Sequence, residues 1–227
     1  MGFCVPHQLI LPFQRQPEYS QESWINDACN QEAVQWVQRW PEWPYPRIVC
    51  LYGAEGSGKT HLSHLWKSRT EAFFLSPEKA VSLMAWEWVR PGGALVLENA
   101  DRIQDETWLF HFYNALQQSE KTSALLTART PPSQWPITLP DLRSRLQTLL
   151  TAEIRRPDDQ TLFAVMSKQF HERGLTVKPE VLEYLLKYCE RSFAGIQEWV
   201  DRLDRKAASQ GRAVTIPLIR EILQSFL

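Results

Sequence analysis

The segment Gly53-Ala54-Glu55-Gly56-Ser57-Gly58-Lys59-Thr60 fits the spacing GxxxxGK[ST], in which three residue types share one task. Glycines let successive backbone N–H groups curl around phosphate oxygens, the lysine reaches the β- and γ-phosphates, and the final hydroxyl is offered to Mg²⁺. Lys59 and Thr60 fill the last two roles, and His61 continues the loop into the helical HLSHLW. A second candidate closes ALVLENADR: Glu98 stands where a nucleotide-hydrolysing protein carries an acid for Mg²⁺, followed by a second acid that orients the attacking water. Here the second residue is Asn99, which cannot take a proton from water, so hydrolysis within the chain is expected to be weak. Asp101 lies two residues beyond that position.

Two further segments carry groups for partners. In LPDLRSRLQ (139–147), Arg143 and Arg145 offer a fixed charge and a planar fork, the properties needed to reach a neighbour's γ-phosphate. By spacing alone, solvated surface arginines are the favoured reading. Near the N-terminus, Gln8-Leu9-Ile10-Leu11-Pro12-Phe13 sets a polar anchor beside large apolar side chains in an otherwise polar stretch. It reads as an extended peptide inserting into a partner's hydrophobic pocket, or as a cover for the chain's own core.

These groups need a scaffold, and hydrophobic periodicity supplies one. Ile48–Tyr52 is a continuous apolar run of the kind buried on both faces of a parallel sheet. Ala72–Leu75, Ala94–Glu98 and Ser123–Thr127 repeat that character, with helix-like stretches around 80–88 and at 106–118 between them. Ala33, Val34, Val37 and Trp40 are spaced as one helical face, which PEWPYP ends. Alternating strands and helices predict an α/β parallel sheet. After Arg155-Arg156-Pro157 the strand-like runs cease. Leu162, Val165, Met166 and Phe170 mark one helix, Val181, Leu182, Leu185 and Leu186 a second, Ile196, Trp199, Val200 and Leu203 a third, and a last follows Pro217. The expected organisation is a tail over 1–20, an α/β nucleotide-binding domain over 21–157 and an all-helical subdomain over 158–227.

Composition narrows the function classes. With 227 residues, 25 Lys+Arg against 26 Asp+Glu and a net charge of -1, there is no overall positive field to hold nucleic acid by its phosphates alone. The four cysteines are scattered without a CxxC, which suggests neither zinc nor a disulfide framework, and no apolar stretch approaches a membrane span. Cytoplasmic residence is the expectation.

Together, GAEGSGKTHL, LENADR, ARTPP, LPDLRSRL and QLILPF resemble the AAA+ ATPases of the replication-initiator group, and within it the Hda family of DnaA regulators. The resemblance implies an AAA+ sheet domain with a helical lid, bound ADP or ATP with Mg²⁺, and two protein partners. QLILPF is similar to the peptide that docks in the pocket of the DNA polymerase sliding clamp; the other partner is the initiator DnaA, whose ATP hydrolysis such proteins stimulate. Arg145 then takes the arginine-finger position, acting in trans. Ala194 stands where many relatives have a nucleotide-contacting arginine, so ADP is expected to be held at least as well as ATP. The resemblance leaves a second copy of the chain as a candidate partner. It leads to no expectation of sequence-specific DNA binding, because the chain ends with its lid. The competing reading is an ATP-driven loader or remodelling enzyme of the same superfamily.

Overall fold

The computed structural model describes residues 24–119 and 121–224, which divide into two compact units, one running to Arg156 and one from Pro157. Gln8–Phe13 lies outside the described residues. The first unit is built on five parallel strands: β1 Ile48–Tyr52, β2 Phe73–Leu75, β3 Ala94–Leu97, β4 Ser123–Ala128 and β5 Leu150–Glu153. They are ordered β2-β3-β4-β1-β5, so β4 separates β1 from β3.

The apolar runs are continuous because both faces of this sheet are covered. Strand side chains alternate between faces. Cys50, Leu95, Leu97, Ala124 and Leu126 pack with Leu109, Phe112 and Leu116 of α4 (Glu106–Gln118) and with Leu142 and Leu146 of α5 (Pro140–Gln147). Val49, Leu51, Val96 and Leu125 point the other way, onto Ala33 and Val37 of α1 (Gln31–Gln38) and Leu62 and Trp66 of α2 (Lys59–Thr70). Asp105 caps α4 by accepting the Trp108 N–H at 2.9 Å, satisfying one of the free donors of the first turn. Pro140 opens α5 at a position where a missing N–H costs nothing.

Three elements depart from the sequence pattern. The helix expected around 80–88 is instead the single turn α3 (Pro77–Ala80) and a 3-10 turn over Ala85–Trp88, between which Leu83 and Met84 are exposed. Strand β5 is short and ends in polar residues; its parallel pairing with β1, Val49 opposite Leu150 through Tyr52 opposite Glu153, makes it a strand. The segment of Arg143 and Arg145 is a helix. Its charged sequence has little amphipathic signal, and its two buried leucines, four residues apart, hold it to the sheet domain.

The second unit is helical: α6 Asp159–Glu172, α7 Pro179–Leu186, α8 Phe193–Gln210 and α9 Ile216–Gln224. Its interior joins Leu162, Met166 and Phe170 with Leu182, Leu185, Ile196, Val200, Leu203, Leu218 and Ile219, all almost fully buried. Asp158 caps α6 through the Thr161 N–H at 2.7 Å, and Ser192 caps α8 through the Gly195 N–H at 3.0 Å. Gly195 is required where α8 starts, since a Cβ there would lie 2.6 Å from the Glu190 carbonyl oxygen. Phe170 is 1% exposed. Phe170→Ala should therefore destabilise this unit by about 3–5 kcal/mol. A urea titration followed by circular dichroism checks this; an unchanged midpoint would show that the aromatic ring is not the centre of the unit's core.

Candidate nucleotide site

In a parallel sheet every loop leaving a strand's C-terminal end lies on the same edge. The loop after β1, the turn after β3 and the turn after β4 therefore gather there, with β4 central to the other two. The loop after β1 is Gly53–Gly58. The Gly53 N–H donates to Ala128 O at 3.2 Å, and a Cβ on Gly53 would sit 2.2 Å from Ile154 O. Two backbones approach there too closely for any side chain. Gly56 (φ 71) and Gly58 (φ 101) adopt left-handed conformations, and Gly58 is the N-cap of α2. The loop thus closes on itself and delivers the free N–H groups of the first turn of α2 to its concave side, where an anion is stabilised.

Lys59 is 8% exposed, and its ammonium donates to Gly53 O at 2.8 Å and Ala54 O at 2.7 Å, with Ser57 Oγ at 3.5 Å. Burial lowers its pKa from the ordinary lysine value; the negative charges of Asp101 and Glu55 oppose that, and Arg129 adds to it. A desolvated cation held only by neutral dipoles and more distant carboxylates is primed for phosphate oxygens. Thr60 stands beside it in the first turn of α2, half-buried, and His61 follows with its ring edge-on to Trp24 at 5.2 Å.

Glu98 closes β3, where its N–H donates to Leu75 O at 2.9 Å. Its Oε1 is buried without a hydrogen-bond partner. An orphaned carboxylate oxygen on the edge that carries the Thr60 hydroxyl fits a Mg²⁺ ion, which keeps several waters and takes one or two carboxylates plus substrate phosphates. No group of three or more His, Cys, Asp or Glu side chains able to hold a metal occurs among the described residues, so a metal here relies on oxygens beyond this chain. Asn99 has a left-handed backbone (φ 47), and its N–H donates to Thr127 Oγ1 at 2.9 Å. That bond ties the ends of β3 and β4.

Two groups on this edge were not singled out as site residues by sequence reasoning. Asp101 Oδ2 accepts the Arg129 N–H at 3.0 Å, and the Arg129 guanidinium pairs with Glu55 at 2.5 Å, bridging the turn after β4 to the phosphate-binding loop. Arg129 lies in ARTPP, directly after a buried strand, a segment that carried the resemblance without a role for the arginine.

Arg145 does not join these residues. It lies near the C-terminal end of α5, which leads into the start of β5, and so at the edge opposite the loop. Its guanidinium stacks over Phe110 at 4.9 Å and Tyr113 at 5.3 Å, donates to Asn114 Oδ1 and lies 3.5 Å from Gln117 Oε1. Gln117 in turn accepts from the hydroxyl of Tyr45, on the segment entering β1, which fixes this end of α4 at the N-terminal edge. Arg143 is differently occupied: its Nε donates to Ile137 O at 2.9 Å, and a second guanidinium nitrogen donates to the same oxygen. The start of α5 is further pinned by Glu106, whose carboxylate accepts the Thr138 N–H at 2.9 Å and the Leu139 N–H at 2.8 Å. Those two bonds hold its carboxyl below the usual glutamate range.

Residues 158–223 match the family model described as Hda, lid domain. That match places an Hda-type lid in the helical unit of the chain. Among solved structures the chain is similar to domain III of the Thermotoga maritima replication initiation protein DnaA. The TM-score is 0.76 at 20% identity, over 93% of this chain and 98% of that one. AMPPCP-bound DnaA from Aquifex aeolicus superposes with a TM-score of 0.70 at 22% identity, over 86% of this chain and 68% of that one. A DNA replication initiation factor gives 0.70 at 20% identity over 84% of this chain, which spans 65% of that protein's length. At these identities the likeness is one of fold: a five-stranded AAA+ sheet followed by a lid. Among the described residues no helix is long and apolar enough to cross a membrane.

Proposed function

We propose that this chain holds a nucleotide at Gly53–His61, is tethered to the sliding clamp through Gln8–Phe13, and stimulates ATP hydrolysis by DnaA with Arg145, lowering the supply of active initiator. One observation carries the reading: Arg145 sits at the edge of the sheet opposite the chain's own phosphate-binding loop. An arginine so placed is remote from its own nucleotide, and to serve a neighbour's its guanidinium would leave Asn114 and the rings of Phe110 and Tyr113. DnaA structures of the same fold contain AMPPCP, which supports a nucleotide at the equivalent loop here. Lys59 and the N–H groups of the loop would hold the phosphates, while Thr60 and Glu98 would hold Mg²⁺, which supplies charge neutralisation between phosphates. With Asn99 in place of the second acid, the nucleotide serves this chain as a structural ligand, ADP at least as well as ATP.

The deciding experiment is DnaA ATP hydrolysis measured with and without this protein on clamp-loaded DNA; an unchanged rate would overturn the reading. Clamp tethering has its own test. Leu9, Leu11 and Phe13 are each worth roughly 1.5–3 kcal/mol if fully buried in a partner's pocket. Removing residues 1–14 should abolish clamp binding in a pull-down or surface-resonance assay while leaving the melting transition cooperative. Parental clamp affinity in the truncated chain would remove the tether from the proposal, and loss of the cooperative transition would identify QLILPF as a cover for the chain's own core.

A further inference from the structure

Asn99 stands where a second acid is expected, yet a carboxylate reaches the same edge two residues later. The left-handed Asn99 and the 3-10 turn Ala100–Arg102 fold the chain back on itself after β3. This turn brings Asp101 to the end of β4, where its Oδ2 accepts the Arg129 N–H at 3.0 Å. Its other oxygen, Oδ1, is buried with no hydrogen-bond partner, as is Glu98 Oε1. Arg129 in turn pairs with Glu55 of the loop after β1 at 2.5 Å, so the carboxylate lies on the edge that carries that loop. A buried acceptor left open beside a phosphate site is completed when a donor arrives with the ligand.

We infer that Asp101 is a positioning carboxylate for hydrated Mg²⁺ bound with the nucleotide, its Oδ1 accepting a hydrogen bond from a metal-bound water while Glu98 and Thr60 take the metal. The inference rests on the nucleotide site proposed above. Three features select this role. Mg²⁺ gives up its waters reluctantly and is held in place through them. A carboxylate is an acceptor only, matched to a metal-bound water, which is a donor. Asp101 Oδ2 is already fixed by the Arg129 N–H, so the orientation of Oδ1 is set before ligand binds. The Asn99 N–H cannot substitute, because it is a donor where an acceptor is needed and is already committed to Thr127 Oγ1.

Asp101→Asn isolates the charge. The amide oxygen can still accept the Arg129 N–H, keeping the turn, while an NH₂ donor replaces Oδ1. Binding of a fluorescent ADP analogue to the full chain is titrated with MgCl₂ from an EDTA baseline. The parent should bind more tightly as magnesium rises. Asp101→Asn should bind as well as the parent in EDTA, or better, but need about 10-fold or more magnesium for the half-maximal effect, as expected when a residue orienting a metal site is lost. A parental midpoint in Asp101→Asn overturns the inference, as does an affinity loss equal in EDTA and in magnesium, which would mark a structural role only. Parental binding without magnesium dependence overturns this inference and leaves the nucleotide site standing. Absence of nucleotide binding by the parent overturns both.

Discussion

Arg145→Ala should abolish stimulation of DnaA ATP hydrolysis, with the stimulated rate falling by up to about 10³–10⁵-fold, the range in which an arginine supplied in trans acts on a transferring phosphoryl group. The loss should come without loss of nucleotide or clamp binding, since Arg145 lies at the opposite edge from the phosphate-binding loop. Stability should fall modestly. Sequence reasoning with an exposed arginine anticipates almost no change, but the guanidinium is half-buried on Phe110 and Tyr113, and such contacts are worth about 0.5–1 kcal/mol each at accessible sites. Arg145→Lys separates orientation from charge: it keeps the cation and loses the planar fork, so a rate close to that of Arg145→Ala identifies a directed phosphate contact. Arg143→Ala should lose less, because the resemblance gives the finger position to Arg145, with Arg143 as an interface contact. Normal stimulation by Arg145→Ala would overturn the proposed mechanism.

Lys59→Ala should weaken binding of both ADP and ATP by roughly 10- to 150-fold, corresponding to about 1.5–3 kcal/mol for a hydrogen bond to a charged group. The loop should keep its shape, because Gly53, Gly56 and Gly58 set its backbone and the ammonium adds only bonds to Gly53 O, Ala54 O and Ser57 Oγ. Removing a charge whose burial is itself unfavourable should leave the ligand-free protein about as stable as the parent. Fluorescent nucleotide titration, paired with a melting curve lacking nucleotide, checks both statements. Parental affinity in Lys59→Ala would show that the loop does not bind phosphate through its lysine.

The parts of this molecule that were legible in the sequence are those written locally. Residues 48–52 and 106–118 coincide with β1 and α4 because burial on both faces leaves an unbroken apolar run and burial on one face leaves a helical stripe. The form of the loop after β1 was legible for the same reason, since its glycines and Lys59 lie within a single turn. What escaped depends on neighbours distant in sequence. Leu150–Glu153 has too few apolar residues to announce a strand and becomes one against β1. The helix of Arg145 was hidden by a charged surface, with two leucines as its buried apolar residues. Asp101 and Arg129 enter the site only because β4 lies beside β3 and because Asn99 turns through a left-handed conformation, and neither fact has a local pattern. Gln8–Phe13 is outside the described residues, so its reading rests on resemblance and on the truncation experiment.

The loop on one edge of the sheet and Arg145 on the other give the α/β unit a direction. Contacts that offer Arg145 to a neighbour's phosphates are head-to-tail, joining unlike surfaces, and such contacts do not close on themselves in a pair. In the proposed complex of one regulator with one initiator, only the member whose loop faces the other's arginine would be driven to hydrolyse. The regulator's own loop would be left at the free end, and its nucleotide would persist while its neighbour's is consumed. Orientation within the complex, more than the chemistry of either site taken alone, would then determine which of two similarly folded molecules is switched off.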